Sequence, residues 1–492
     1  MEYLIKGKIY VDNNFQEGFL LVKNKKFVEI FLGKERPNYP IIDYKNCYLL
    51  PGFIDSHIHL LELGLLNIFP DLSSISSLND LFDVIAETKR NLSFFPFLIF
   101  FNFDLEKIKE KRYPKRKELD KIVDKKTLII SQRDGHTTIL NTYGLIKIFE
   151  KNVVSGMELD AYKEPTGVLR GEANELVHKY YKKNLPRDIK ILAFQEAEKV
   201  AMKNGITTLC AMVGEEEDNS YEILLESLNS FKIDIIIFPQ IKDINKVKNL
   251  GLKRIGGCIL IDGSLSSYTA ALSQPYEDNP NTRGILYFSD EELYNFLKKA
   301  NDENLQTALH AIGDRAIEQV VNTYEKFLKD NSLRHRIEHC EVLNNQLIKK
   351  IKKLNLIISC QPAFEYYWGG ENKLYEKRLG KRIKFTNPYR SLLNENIILV
   401  GGSDAPITPP NPLLGIYSAL NHPNEKERIN LKEAVNLFTK NAAYGIFLEN
   451  KIGEIKKDYE ADLVVLESLP IDNYDIKIKA VIKKGEIIWQ GD

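Results

Sequence analysis

Eight short apolar runs, each ending in polar side chains, restrict this chain more than any other feature. They cover residues 47–59, 206–212, 233–238, 258–262, 306–310, 334–339, 356–361 and 397–404. Amphipathic stretches separate most of them, for example at 291–300 and 316–329. Strand-like runs alternating with helix-like ones imply βα units and a parallel sheet. Eight units in a row is the count of a (β/α)8 TIM barrel. The expected fold class is therefore α/β, with a barrel over 51–452.

The two ends of the chain read differently. Residues 1–50 hold short strand patterns (YLIKGKIYV, GFLLVKN, FVEIFLG), and so do residues 453–492 (ADLVVLES, IKAVIKKG, EIIWQGD). Turns rich in Gly and Asn divide them. Two β-rich ends around a long middle are expected to pair into one small sheet domain. Residues 60–190 are too long for a single barrel connection. They carry their own strand patterns at 95–101 and 127–131, so an inserted subdomain is expected after the first strand. No internal repeat or low-complexity linker is evident.

Charge and cysteine content narrow the function. Lys+Arg and Asp+Glu both number 68 in 492 residues. Such balance argues against nucleic acid or an anionic membrane as partner. The N-terminus has no apolar core of a signal peptide. The most apolar run, FFPFLIFFNF at 94–103, is too short to span a bilayer and is broken by Pro, so it reads as a buried strand. Five scattered Cys without a C-x-x-C pair fit free thiols in a reducing, cytoplasmic setting.

The first run, LLPGFIDSHIHL, ends in His57-Ile58-His59. Side chains alternate along a strand, so both imidazoles share a face and can hold one metal ion from two corners. A chance pair on a solvated strand is the plain alternative. His310 ends the fifth run, His339 the sixth and Asp404 the eighth. In a barrel these ends form the catalytic face. His339 could equally be a satisfied core imidazole, and Asp404 in GSDAP a helix N-cap. Together, four imidazoles and a carboxylate make an N/O site suited to Zn, Fe, Mn or Co. His178 and His422 suggest no role, and His335 reads as structural.

The motifs PGFIDSHIH (51–59), RDGHTTILN (133–141), EPTGVLRGEA (164–173), IDGSLSSYTAAL (261–272), HAIGDRA (310–316), RIEHC (336–340), QPAF (361–364), RLGKRIKF (378–385), GGSDAPI (401–407) and ADLVVLE (461–467) run in one order along nearly the whole chain. As a set the chain resembles the amidohydrolase superfamily, in the family 3-like branch that includes N-substituted formamide deformylase. The resemblance implies a metal-dependent barrel over 51–452 and a β-sandwich domain from residues 1–50 plus 453–492. It also implies a hydrolase acting on carbon–nitrogen, but not peptide, bonds: an amide, a formamide or a cyclic amide. Carried over, His57, His59, His310 and His339 are metal ligands. Asp404 touches the metal-bound hydroxide as base and then acid, with His310 and His339 beside the reacting carbonyl. One or two divalent ions per chain are implied, Zn foremost, with Fe, Mn or Co as alternatives. An esterase or lactonase on the same site is the rival within enzymes. A non-catalytic binding barrel is the rival outside them. The partner implied is a small molecule, and a homodimer is compatible with the sequence.

Two departures stand out. Relatives often carry a carbamylated Lys four residues before the Asp-Gly; here that position is Cys258, which is either a metal ligand or a structural thiol. Tyr268 stands where relatives often show Arg. Substrate contacts are expected from His136 and Asp134 in the insert, from Tyr268, from Gln361, and from Trp368 with its neighbours Tyr366 and Tyr367, although these aromatics could instead pack a lid.

Overall fold

The structure, a computed structural model, describes residues 2–12, 14–33, 38–91, 95–133, 135, 137–150 and 152–491. The chain forms two compact units: Met1–Leu60 with Glu198–Glu216 and Leu224–Asp492, and Leu61–Ala197 with Glu217–Ile223.

In the first unit, eight parallel strands carry the expected βα alternation. They are β1 (Phe53–Ile58), β2 (Ile206–Val213), β3 (Asp234–Pro239), β4 (Arg254–Leu260), β5 (Gln306–Ala311), β6 (Arg336–His339), β7 (Ile357–Cys360) and β8 (Leu399–Gly401). They are hydrogen-bonded in the orders β3-β2-β1 and β4-β5-β6-β7-β8. β3 runs alongside β4 and β8 alongside β1. A parallel bridge also pairs Ile58 with Ala405, just beyond β8. The strands are near-continuous apolar runs because both faces are covered. The amphipathic stretches are helices Asp290–Asp302 and Asp314–Glu325. The first opens on Ser289 with Glu292 closing a capping box, which satisfies N–H groups a helix start leaves free.

Strand limits shift where side chains other than apolar ones take over. The run at 258–262 is the end of a strand that starts at Arg254 and stops at Leu260. Asp262 leaves the ladder because its carboxylate accepts three backbone N–H groups, from Ala271 (2.7 Å), Ile312 (3.0 Å) and Gly313 (2.8 Å). The run at 397–404 contains only a three-residue strand, because Ser403 and Asp404 turn toward β1.

The chain ends do pair. One seven-stranded sheet has the order Glu486–Gln490, Ile478–Lys483, Leu463–Leu466, Ile41–Pro51, Glu2–Val11, Asn14–Lys23, Lys26–Leu32. Leu50 sits opposite Val464 and Leu49 opposite Val465. Ile5, Ile9, Leu20, Leu49, Leu463 and Ile482 form the core on one face, with alternation fixing the register.

The second unit contains a five-stranded sheet, ordered Phe97–Phe103, Thr127–Gln132, Thr137–Leu140, Pro165–Arg170, Met157–Leu159. Helix Leu78–Asn91 contributes Leu78, Leu81 and Ile85 to its core with Leu98, Phe100, Leu128 and Ile130. The insert expected at 60–190 thus reaches Ala197 and recruits Glu217–Ile223. Buried Lys190 fixes that return, donating to Asp218 (2.5 Å) and Asn219 (3.0 Å). The apolar run at 94–103 is strand Phe97–Phe103, with residue 94 outside the described residues. Among the described residues, no helix is long and apolar enough to cross a membrane.

Candidate metal centre

β1, β4, β5, β6 and the turn after β8 bring their C-terminal side chains together. The ring centroids of His57 and His59 are 5.4 Å apart, those of His57 and His339 5.1 Å, and those of His310 and His339 4.4 Å. Asp404 Oδ1 lies 3.2 Å from His57 Nε2 and 3.0 Å from His59 Nε2. The potential donor atoms of His57, His59 and Asp404 all lie within 4.8 Å of one another, and so do those of His57, Cys258 and His339.

Local backbone explains why these atoms meet. Asp404 N donates to the His57 carbonyl (2.8 Å) and His59 N to the Ala405 carbonyl (2.8 Å). Asp55, fully buried, accepts from Ser403 N (2.9 Å), from Ser403 Oγ (2.6 Å) and from His57 N (3.1 Å). Gly402 must be glycine: a Cβ there would lie 2.7 Å from His57 N and Cβ. His339, Cys340 and Asp404 adopt left-handed φ of 67°, 55° and 56°. Such backbone persists only where its surroundings over-determine it, and it gathers at functional sites.

Two of the imidazoles, His57 and His310, are oriented from behind. His57 Nδ1–H donates to Glu338 Oε2 (2.6 Å), which leaves Nε2 for the centre. Glu338 is itself gripped by fully buried Arg336, through Nε (2.5 Å) and Nη2 (2.8 Å). Arg336 Nη2 also donates to the Ser56 carbonyl (2.6 Å) and Ser359 Oγ (2.9 Å). His310 Nε2–H donates to the Gly263 carbonyl (3.2 Å), which leaves Nδ1 facing Cys258 Sγ at 3.9 Å. A carboxylate or carbonyl behind an imidazole is how proteins fix the tautomer of a metal-ligating His.

The electrostatics are those of imidazoles and acids packed against one another out of water. Burial pushes the His57 pKa down, yet neighbouring Asp404, Cys258 and Glu338 outweigh it and hold it well above 6.5. His59 is brought up to about 10 against burial, by Cys258 and Asp404. His310 rises to about 9 against burial, through Cys258 and then Asp262. Burial would raise Asp404, but His57 and His59 hold it well below 3.8. Burial would also raise Cys258, but His59, His310, His339 and His57 hold the thiol far below 9. Glu338 sits at about 2, since Arg336 and His57 overcome its burial.

The fit to a metal ion rests on atoms left without partners. His57 Nε2, both ring nitrogens of His339, and Asp404 Oδ1 are buried and make no hydrogen bond, although Asp404 Oδ1 is within ion-pair distance of His57 and His59. His57 Nε2 and Asp404 Oδ1 are close but not aligned for a hydrogen bond. An unsatisfied buried polar group costs about 1–3 kcal/mol, so a cluster of them is stable when a cation occupies their focus. Imidazole, carboxylate and thiolate donors together suit a divalent ion of intermediate softness. A third acidic group, Asp234, Glu460 and Asp462, is of another kind. Lys483 Nζ lies 2.6 Å from Asp234 and 2.7 Å from Asp462, which neutralises it from within.

The remaining sequence expectations divide. Gln361 is buried at the end of β7, its Nε2 donating to the Ser359 carbonyl (3.2 Å) and its Oε1 unpartnered. Tyr268 has its ring under the Arg378 guanidinium (3.8 Å) and its hydroxyl donating to Asp278 (3.2 Å). Trp368 packs on Phe364 at 4.6 Å, and Phe364 stacks on His339 at 5.9 Å, so Trp368 is one ring removed from the imidazoles. Tyr366 and Tyr367 are exposed, Tyr366 packing on Tyr417 and Tyr474. Asp134 and His136 lie outside the described residues. His335 is structural as expected: buried, it accepts from Thr307 N (3.1 Å) and pairs through Nε2 with Asn301 (3.1 Å). The sequence reading missed Asp55, Arg336, Glu338 and Ser403. An Arg and a Glu two apart in R-I-E-H share a strand face, which was the one available signal.

Residues 40–489 match the family model described as Amidohydrolase family. The chain is 29% identical to YtcJ of Bacillus subtilis (strain 168), which carries an amidohydrolase name, over 92% of this chain and 91% of that one. It is 23% identical to the N-substituted formamide deformylase of Arthrobacter pascens, over 89% of this chain and 87% of that one. A crystal structure of an uncharacterized metal-dependent hydrolase from Pyrococcus furiosus superposes with a TM-score of 0.81 at 24% identity. It covers 96% of this chain and 100% of its own.

Proposed function

This chain belongs to the amidohydrolase family, and from that premise we propose that it hydrolyses the C–N bond of a small amide, N-substituted formamide or cyclic amide at the imidazole cluster. The observation that carries the reading is the gathering of unpartnered buried atoms on His57, His339 and Asp404. His57, His59, His310, His339 and Asp404 would hold a divalent ion, Zn foremost, with Cys258 beside them. When bound, such an ion supplies Lewis acidity toward a carbonyl oxygen and toward water.

The chain's own groups do the rest. Asp404 Oδ1, held between His57 and His59, is placed to take a proton from the attacking water and to return it to the departing nitrogen. Arg336 and Glu338 keep the His57 ring from turning. The Gly263 carbonyl does the same for His310. Asp55, through Ser403, fixes the turn on which Asp404 sits. Gln361 Oε1, buried without a partner, is a candidate contact for a substrate N–H.

The fold reading follows the same line. The strand order and the Ile58–Ala405 bridge support a closed (β/α)8 barrel over 51–452. The shared seven-stranded sheet supports a small β domain built from 1–50 plus 453–492.

A panel of amides, N-substituted formamides, cyclic amides, esters and lactones tests the reading, run on the wild type and on Asp404→Asn with Zn, Fe, Mn or Co supplied. Turnover of a C–N substrate that depends on metal and on Asp404 supports it. Turnover confined to esters or lactones replaces it with the ester reading. No turnover by a fully metal-loaded chain favours a binding barrel.

A further inference from the structure

One buried carboxylate has no part in the proposed chemistry. Glu365 lies in the short helix Ala363–Trp368 that follows β7, with 1% of its surface exposed. Burying such a group is costly unless partners satisfy it. Glu365 Oε1 accepts from Asn387 Nδ2 (2.8 Å), and His422 Nε2 lies 3.8 Å from the same oxygen. His422 Nδ1 accepts from Asn424 N (3.0 Å), which puts the ring proton on Nε2, the nitrogen turned toward the carboxylate. Gly369 makes room for the acid: a Cβ there would fall 1.8 Å from Glu365 Oε2. These contacts fix the helix that carries Glu365.

The neighbouring residue on that helix is Phe364. Its ring stacks on His339, with 5.9 Å between centroids and 12° between planes. Trp368, one turn further on, meets the Phe364 ring edge to face at 4.6 Å and 68°. His339 has need of such a support. His57 is backed by Glu338 and His310 by the Gly263 carbonyl. Neither ring nitrogen of His339 makes a hydrogen bond. A metal-ligating imidazole ordinarily has its second nitrogen tied down, which sets the plane of the ring. Offset stacking of two rings contributes about as much as one net hydrogen bond, so it can set that plane instead.

The contacts close a circuit. Asn387 N donates to the carbonyl of Glu341 (2.8 Å), two residues past His339 on the same segment. Beside it, Thr386 pairs with Val342 in an antiparallel bridge. Asn387 takes a left-handed φ of 42°, a conformation that Asn tolerates. From the His339 segment the path runs through Asn387 to Glu365, along one peptide to Phe364, and back onto the His339 ring. The segment that places His339 thus also places the ring that lies on it.

Resting on the proposed hydrolase centre, in which His339 holds a divalent ion, we propose that Phe364 is the positioning residue for His339, its ring standing where His57 and His310 have a hydrogen bond, and that the Glu365–Asn387 clasp keeps it there. A ring laid on the face stops the imidazole from turning without consuming either nitrogen.

Chelator competition for Zn, beside the visible bands of the Co-substituted protein, tests this on the wild type, Phe364→Leu, Glu365→Ala and Leu379→Ala. Leu379 is buried in the same apolar cluster as Phe364, and its truncation measures the effect of packing alone. Phe364→Leu and Glu365→Ala are each expected to lower Zn affinity about 10-fold and to shift the Co bands, which report ligand geometry. Leu379→Ala is expected to lower the melting temperature and to keep both readouts. Wild-type affinity and bands in Phe364→Leu overturn the proposal. So does an equal loss of affinity in Leu379→Ala, which makes the ring plain packing. Loss in Phe364→Leu without loss in Glu365→Ala overturns the clasp. Where Phe364→Leu does not fold, Phe364→Met, whose flexible side chain refills the gap, is read in the same way. A folded wild type that binds no metal removes the hydrolase reading itself, whereas a metal-loaded, active wild type with unchanged variants removes only the role of the ring.

Discussion

The two ends of the same parallel strands treat buried polar groups in opposite ways. At the N-terminal ends of β4 to β6, Arg254 Nε donates to Gln306 (3.1 Å), and Gln306 Nε2 to the carbonyls of Arg334 (2.7 Å) and Gly445 (2.8 Å). Arg334 forks onto Glu449 (3.0 and 2.7 Å) with its guanidinium 3.7 Å over the Tyr444 ring. His335 has both nitrogens bonded. At the C-terminal ends, the corresponding groups on His57, His339, Gln361 and Asp404 have atoms with no partner. Both ends are buried and both are polar. The difference lies in completion: the groups named at one end are hydrogen-bonded within the chain, and those named at the other have atoms without a hydrogen bond. The hollow of about 420 Å3 lined by Asp330, Arg334 and Tyr444 is at the completed end, so its size does not make it the functional site.

This contrast can be broken by substitution. The largest effect is expected for Asp404→Asn, which keeps the shape and removes the proton acceptor. It should lower kcat by on the order of 10^3 while the far-UV spectrum stays that of the wild type; an active variant would remove Asp404 from the chemistry. Next comes Glu338→Gln, which weakens the grip on His57. Zn affinity, read by chelator competition, should drop about 10–100-fold, and an unchanged affinity would make the Arg336–Glu338 pair purely structural. At the completed end, Arg334→Met should reverse the pattern. Losing the fork and the stacking should destabilise by about 2 kcal/mol in denaturant melts, with Zn content and kcat kept.

The smallest effect sharpens the comparison through pH. Burial holds His335 at about 3, against 6.5 when unfolded. A folded pKa below the unfolded one means the unfolded chain binds the proton first. The contribution is therefore whole above pH 6.5 and is lost as pH falls toward 3. In His335→Gln the fall in melting temperature between pH 7 and pH 4.5 should be shallower than in the wild type. Parallel curves would show that His335 is not what loses stability there.

Much of this was legible in sequence, for a physical reason. Period-2 and period-3.6 patterns mark the strands and helices that must bury a face, and the ligand types stand out because imidazole is scarce among 492 residues. His57, His59, His310 and His339 were singled out that way and Asp404 by its place at a strand end, and the structure gathers them. What hid was relational. Asp55 and Glu338 look like ordinary acids until Ser403 and Arg336 are seen against them. The four-residue extension of β4 was masked by its Gly-Gly bulge, which reads as a turn. The mixed order of the sheet in the second unit, parallel between Phe97–Phe103 and Thr127–Gln132 and antiparallel elsewhere, includes pairings such as Thr137–Leu140 with Pro165–Arg170 that no local pattern encodes. Tyr268 read as a substrate contact because it stands where relatives often show Arg, and its packing under Arg378, over a hundred residues away, has no local signal.

The clasp between the turn after β8 and β1 has a consequence for how the protein is made. Ser403 reaches back 348 residues to Asp55, one of the longest loops the chain must close. During synthesis, β1, β5 and β6 leave the ribosome long before Asp404 exists, and with them all four imidazoles. The full donor set forms only after translation has passed residue 404, so the centre records that this stretch of chain has been made and folded.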